Sequence, residues 1–299
     1  MMMISAILYS RLSLEFSTNR LTMTDRLAAL LQHYPIEARV IHTGRFCREQ
    51  AYTGRCSYLH VLRSGTLTVS AEGHDPWTLT EPTLLFYPAQ APHVLAAAAD
   101  QRAELLCASV SLGHGALNPL VRALPRVLRY PLERIAPIEK TLDMLFAEAT
   151  GAHCGWLAAA NRLFEVILIQ LIRHLMDEGH MDTGLLAGLS DPRLAKAITA
   201  VHESPASPWT LESMAHVAHM SRARFAAHFH AVVGEPPGQF LSRWRTAVAC
   251  TLLRRGKPVG VVANAVGYGS ATALGRAFRA HLGCSPRQWL SHQHEAPTS

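Results

Sequence analysis

The chain has 299 residues, 49% hydrophobic and 17% charged, which leaves room for two domains with cores of their own and excludes a disordered chain. Its net charge of +6 is unevenly placed: residues 191–299 hold twelve Lys/Arg against five Asp/Glu, and residues 1–190 hold sixteen against seventeen. A basic C-terminal part beside a neutral N-terminal part is the footprint of a phosphate-binding module joined to a domain of another kind.

Residues 1–22 differ in character from the rest of the chain, and Met23-Thr-Asp-Arg-Leu-Ala-Ala-Leu-Leu opens an amphipathic helix capped by Thr24 or Asp25. Two readings stand for residues 1–22: an extension upstream of a natural start at Met23, or a genuine N-terminal arm. No signal peptide is legible, because the apolar run Ile4 to Tyr9 is short and no clear cleavage site comes after it.

From about Arg39 to Tyr130 short runs rich in Val, Leu, Thr and Tyr alternate with Gly and Pro. Residues 57–70 read as two strands joined near Ser64-Gly65, and runs at 77–80, 83–87, 93–95 and 104–112 follow at short intervals. Many short strands at this spacing predict a sandwich or small barrel, and the unit is bounded at 23–135.

From Ile138 the period becomes helical. Glu139 to Thr150 is one helix and Gly155 to Gly179 contains a longer one, together spanning 136–181. The apolar residues of the second exceed a single core-facing stripe, which predicts a homodimer interface, with deep burial inside the chain as the other reading. Its run Leu163 to Ile172 is too short to span a bilayer and contains Glu165. Residues 182–192, with Gly184, Gly188 and Ser190-Asp-Pro192, read as a linker.

The last unit, 193–295, repeats one pattern twice. Thr210-Leu-Glu-Ser-Met-Ala-His-Val-Ala-His-Met-Ser221-Arg-Ala-Arg-Phe225 and Pro258-Val-Gly-Val-Val-Ala-Asn-Ala-Val-Gly267-Tyr-Gly-Ser270 each give a short helix, a tight turn and a second helix opened by serine. Phe225, Phe229, Leu274 and Phe278 lie four apart in pairs and face inward, so the opposite helix faces are free for DNA. Those faces give the candidate DNA-binding residues Ser221, Arg222, Arg224, Ala226, Ser270, Thr272, Arg276 and Arg279. The serines cap helices whose N-termini suit phosphate, and the arginines and Thr272 suit base edges. Because the first recognition helix is rich in alanine, base reading rests more on the second, and His216, His219 and His228 are read as surface residues.

This segment, from Asp191-Pro-Arg to Trp289, resembles the DNA-binding domain of the AraC/XylS family of bacterial transcription regulators. The matching residues include Ala215, Ala218-His-Met-Ser221-Arg-Ala-Arg-Phe225-Ala-Ala-His-Phe229, Gly234-Glu-Pro-Pro237, Arg245, Ala265-Val-Gly-Tyr268 and Gly283-Cys-Ser-Pro286. The resemblance implies promoter DNA as partner, with RNA polymerase beyond it, and Leu274 departs from the aromatic residue usual in the family. Gly54, followed by His60, and Pro88-Ala-Gln-Ala-Pro-His93 resemble the two motifs of the cupin barrel. Leu62 stands where a second metal-binding histidine would be, Ser64-Gly-Thr-Leu lacks the glutamate, and Gln90 replaces a glycine. The departures argue against the alternative reading, a cupin metalloenzyme with a DNA-binding accessory.

Phe46-Cys47, Leu59-His60-Val-Leu, Ala91-Pro-His93-Val-Leu and Leu106-Cys107 are similar to the cupin-type sensor domain of one AraC branch, which includes regulators responding to reactive chlorine species. The expected fold class is therefore α+β: an N-terminal cupin-like β-barrel with a helical dimerisation segment, then an all-α domain with two helix-turn-helix motifs. A closed barrel would bring Cys47, His60, His93 and Cys107 together. Such a set suits Zn²⁺ or Cu⁺, or lets the histidines lower a thiol pKa and sensitise Cys107 to oxidants, while a regulatory disulfide and plain packing remain open. Cys154, Cys250 and Cys284 are read as structural. With no CxxC pair and no zinc-finger spacing, the six cysteines point to reduced thiols in the cytoplasm.

Overall fold

A computed structural model describes residues 25–295 apart from 55, 90, 99, 101, 114–117, 136–137, 152 and 180–182; the readings of residues 1–22 and Gln90 lie outside the described residues. The first helix, α1 (Ala28–His33), is capped by Asp25, whose Oδ1 accepts from the N–H groups of Leu27 and Ala28 at 3.0 and 3.1 Å. Among the described residues nine strands follow: β1 (Glu37–Phe46), β2 (Glu49–Tyr52), β3 (Ser57–Ser64), β4 (Leu67–Ala71), β5 (Trp77–Leu79), β6 (Thr83–Tyr87), β7 (His93–Ala96), β8 (Ala103–Ser111) and β9 (Leu128–Pro131). A short helix α2 (Pro119–Ala123) lies between β8 and β9.

The described strands form two sheets instead of one closed barrel. Five are ordered β1-β8-β3-β6-β9 and four β2-β7-β4-β5. Alternation along the strands divides the five-stranded sheet into two faces. Tyr58, Leu62, Leu85, Tyr87, Leu105 and Cys107 face inward and meet Tyr52, Leu67, Val69, Leu79 and Leu95 of the smaller sheet. Leu59, Val61, Leu84, Phe86, Leu106 and Ala108 face outward into a second core. Gly65 turns β3 into β4 at φ +86°, and a Cβ there would lie 2.4 Å from the Arg102 carbonyl oxygen, so only glycine fits.

The outward core is covered by α3 (Glu139–Gly151) and α4 (Trp156–Asp177). Ala160, Phe164, Ile167, Leu168, Leu171, Ile172, Leu175 and Met176 of α4 are buried within the chain, which accounts for most of the apolar excess assigned to a dimer interface. Two polar residues of α4 close the edge of the sheet: Asn161 Oδ1 accepts from Val40 N–H at 2.9 Å and Glu165 Oε1 from Ala38 N–H at 3.3 Å.

The segment read as a linker carries helix α5 (Leu185–Ser190), with Leu185, Leu186 and Leu189 buried. Gly188 approaches its neighbours so closely that a Cβ would lie 2.7 Å from Ile198 Cδ1 and 2.8 Å from Val233 Cγ2. Stop signals at Gly184 and Pro192 mark the ends of this helix, not a free tether. Seven helices follow: α6 (Leu194–Glu203), α7 (Leu211–Val217), α8 (Arg222–Val233), α9 (Pro237–Arg254), α10 (Val259–Ala265), α11 (Ala271–Leu282) and α12 (Pro286–Glu295). One contiguous core runs from Leu27 and Leu30 through the outer sheet face to Phe278.

Candidate DNA interface and inner histidine cluster

In the C-terminal unit, α7 and α8 form one helix–turn–helix and α10 and α11 the other. Thr210 caps α7 with a reciprocal pair: its hydroxyl accepts from Ser213 N–H at 3.1 Å, and Ser213 Oγ accepts from Thr210 N–H at 2.9 Å. Ser270 caps α11 by accepting from Ala273 N–H at 3.2 Å. Ser221 occupies the equivalent position before α8, but its hydroxyl makes no capping bond, in contrast to the expectation.

Phe225, Phe229, Leu274 and Phe278 are all buried at 0–1% exposure. Arg222, Arg224, Thr272, Arg276 and Arg279 are exposed on the faces opposite, as are Ser221 and Ser270, and Ala226 is half-buried. His216 and His219 are exposed, whereas His228 is half-buried and bonded to Asp191 Oδ2 at 2.7 Å.

The two turns differ. The first passes through His219 at φ +53°, the second through Gly267 at φ +84°. Gly267 is required for space, because a Cβ would lie 2.7 Å from Arg245 Nη2 and 2.9 Å from the Ala206 carbonyl oxygen. Arg245, on α9, donates from Nε to Pro205 O at 2.8 Å and from Nη2 to Ser207 O at 2.7 Å, and its guanidinium lies 5.7 Å from the Tyr268 ring. One side chain thus ties the entry of the first unit to the turn of the second. Ser242 on α9 adds contacts to Tyr268 Oη and His281 Nε2, at 3.1 and 3.0 Å.

In the N-terminal unit the structure joins three of the four predicted sensor residues and leaves one out. His60 and His93 meet with their Nε2 atoms 2.9 Å apart, and Cys107 is the register partner of His60 on β8. Cys47 is exposed just beyond β1: Phe46 is the inward residue, so alternation turns its neighbour to solvent. Among the described residues no three His, Cys, Asp or Glu side chains are placed to hold a metal ion, so the Zn²⁺ or Cu⁺ set does not fit. Cys154 is also exposed, which removes its structural role, while Cys250 is buried and Cys284 half-buried.

Geometry fixes the protons of the histidine pair. His93 Nδ1 lies 2.9 Å from the Ala91 carbonyl oxygen, which can only accept, so Nδ1 carries the hydrogen. Neutral His93 then offers a lone pair at Nε2, and His60 Nε2 must donate to it. His60 Nδ1 is left as a buried lone pair without a partner. Both rings are held neutral: burial pulls the His60 pKa well below 6.5, with His93 adding to it, and burial likewise lowers that of His93.

Tyrosines enclose the pair. Tyr87 and Tyr52 both stack on His93, at 3.7 and 4.9 Å, while Tyr58 lies over His60 at 6.1 Å. Tyr52 Oη donates to Cys107 Sγ at 3.5 Å. The expectation that these histidines lower a thiol pKa is overturned. Burial pushes Cys107 up to about 12, outweighing the Tyr52 hydrogen bond and Arg48, and neutral imidazoles supply no cation to hold a thiolate.

Sequence reasoning missed His42. A β-bulge between Val40 and His42 shifts the register of β1 against β8. Before it, Ala38 and Val40 face the outer core; after it, His42 is the partner of Cys107 and its ring meets inward-facing Phe46 at 5.3 Å. An alternating pattern read without the bulge puts His42 on the outer face with Val40. Val40-Ile41-His42 carries no local mark of the break, which shows in the structure as an apolar Ile41 left 49% exposed.

Comparison with known proteins gives matches at both ends. A cupin family model matches residues 25–177 and a helix-turn-helix domain model matches residues 214–292. An AraC-like transcription regulator of Streptomyces lividans is 30% identical over 90% of this chain and 98% of its own length. The RCS-specific HTH-type transcriptional activator RclR of Escherichia coli K12 is 27% identical over 77% of this chain and 82% of its own. Among solved structures, the DNA-binding domain of AdpA in complex with target DNA is 31% identical over 36% of this chain and 99% of that chain, with a TM-score of 0.34.

Proposed function

The chain belongs to the AraC-like transcription regulators with an N-terminal cupin domain and is a DNA-binding regulator, and from that premise we propose how it reads DNA and receives its signal. The two recognition helices α8 and α11 enter successive major-groove segments of promoter DNA. Arg222, Arg224, Thr272, Arg276 and Arg279 reach bases and phosphates, Ser221 and Ser270 approach phosphates at the helix N-termini, and Ala226 meets thymine methyls. One observation carries this reading: in both helices the residues that fix the fold are buried, and the cationic ones are exposed on the faces opposite. The test is titration of the intact protein with DNA from beside its own gene. Saturable, salt-dependent binding is expected, and unchanged specific affinity in the Arg222→Ala, Arg276→Ala double variant overturns it.

The signal enters at Cys107 by its place beside His60 in the inner cluster, and its raised thiol pKa makes that oxidation slow and not sensitised. The caged, neutral thiol is completely buried, so small uncharged oxidants reach it more readily than bulky or charged ones. Loss of oxidant-dependent DNA binding in Cys107→Ser, with Cys47→Ser unaffected, is the expected result. A homodimer forms through the apolar side chains left exposed on α3 and α4, Met144, Leu157 and Val166. The protein works in the cytoplasm, where promoter DNA and RNA polymerase are, without catalytic turnover. Among the described residues no helix is long and apolar enough to cross a membrane.

A further inference from the structure

Sheet order places β1 and β3 on either side of β8. His42 on β1 and His60 on β3 are both register partners of Cys107, so His42, Cys107 and His60 form one row across three strands. Register partners on an antiparallel pair project from the same face with their Cβ atoms in contact range. His60 Nδ1 is a buried lone pair without a partner, and His42 Nε2 is likewise buried and unpaired. Nothing engages His42 Nε2, so a neutral His42 ring is free to present its lone pair there. The row therefore sets a weak S–H donor between two acceptors that have none.

Resting on the oxidant-sensing reading of Cys107, we propose that His42, together with His60, is a positioning residue that accepts the hydroxyl of a Cys107 sulfenic acid. In the step itself the Cys107 sulfur attacks one oxygen of a hydroperoxide. The S–O bond forms and the O–O bond breaks. The departing hydroxide takes the thiol proton and leaves as water. Sulfur loses two electrons and the peroxide gains them. The product S–O–H donates strongly where S–H donated weakly, and the extra oxygen extends it toward the flanking lone pairs. Oxidation thus supplies one strong donor, which the flanking lone pairs compete to accept and which the reduced site lacks. His42 holds the sulfenic state and slows its further oxidation to sulfinic acid.

The experiment treats the full chain with limiting hydrogen peroxide, traps sulfenic acid with dimedone at timed intervals, and quantifies the Cys107 peptide by mass spectrometry. His42→Phe keeps ring volume without an acceptor; His42→Asn keeps an acceptor. The His42→Phe variant is expected to shorten the sulfenic lifetime about fivefold, the size of one hydrogen bond, and to raise sulfinic acid. His42→Asn is expected to stay within about twofold of the parent. An unchanged lifetime in His42→Phe, or an Asn variant as short-lived as the Phe variant, overturns the role of His42 and leaves Cys107 sensing intact. Absence of any Cys107 oxidation in the parent protein overturns the sensing reading and this one with it.

Discussion

Tyr34 of the cupin-like unit lies against Trp244 of α9, ring centroids 5.9 Å apart and planes tilted by 50°. His202 of α6 completes the contact, 4.0 Å from Trp244 and stacked on Phe240 at 5.7 Å. Behind Tyr34 stands Gly113, just past the end of β8, where a Cβ would lie 3.2 Å from the Tyr34 ring. The strand that carries Cys107 therefore ends against a ring that touches the scaffold of both recognition helices.

Tyr34 is buried and its hydroxyl has no hydrogen-bond partner among the described residues. Tyr34→Phe is expected to be neutral or to stabilise by about 1 kcal/mol, because an unsatisfied polar group is removed at constant shape. Tyr34→Ala is expected to cost about 3–5 kcal/mol. Urea denaturation monitored by tryptophan fluorescence separates the two, and a Phe variant as unstable as the Ala variant contradicts the expectation.

Acid should loosen the same contact. Burial first, and His33 second, lower the His202 pKa to about 3. A folded pKa below the unfolded 6.5 means that the unfolded chain binds the extra proton between those values, so stability is full above pH 6.5 and falls as pH drops toward 3. His60 and His93, also lowered, act in the same direction. His202→Phe is expected to flatten the decline in midpoint between pH 6.5 and 4. An unchanged slope would show that His202 is not a source of it.

The turns should respond in opposite ways. Gly267→Ala meets both a positive φ and the Arg245 guanidinium, and is expected to lose at least about 1–2 kcal/mol along with DNA affinity. His219→Gly relieves a left-handed non-glycine residue and is expected to gain up to about 1 kcal/mol. Thermal melts of the two variants, run side by side, check the signs.

Base readers and phosphate contacts differ in salt response. A base contact from Arg276 predicts a loss of about 1–3 kcal/mol in Arg276→Ala that is largest on the specific site. A phosphate contact from Arg279 predicts a uniform loss, with the slope of log affinity against log salt falling by about 1. Anisotropy titrations on specific and scrambled duplexes at several salt concentrations distinguish them.

The helical half was legible because its signals are local. Caps at Thr210 and Ser270, the glycine at 267 and the four-residue spacing of Phe225 with Phe229 each act within one or two turns of chain. The inner cluster was only partly legible. His60 and His93 announce themselves by motif, but their partner is decided by register, and one inserted residue in β1 exchanges Cys47 for His42. The helix at 185–190 was hidden for a related reason: its leucines are buried by elements distant in sequence, and Gly188 among them sits tight against Ile198 and Val233.

The tight seat of Gly188 has a practical consequence for dissecting the molecule. A fragment that starts at Arg193, where the sequence alone suggests a cut, would strip α5 from Ile198 and Val233 and leave an adhesive apolar strip on the DNA-reading half. Beginning the fragment ahead of Leu185 keeps that strip covered and is expected to give the more soluble half.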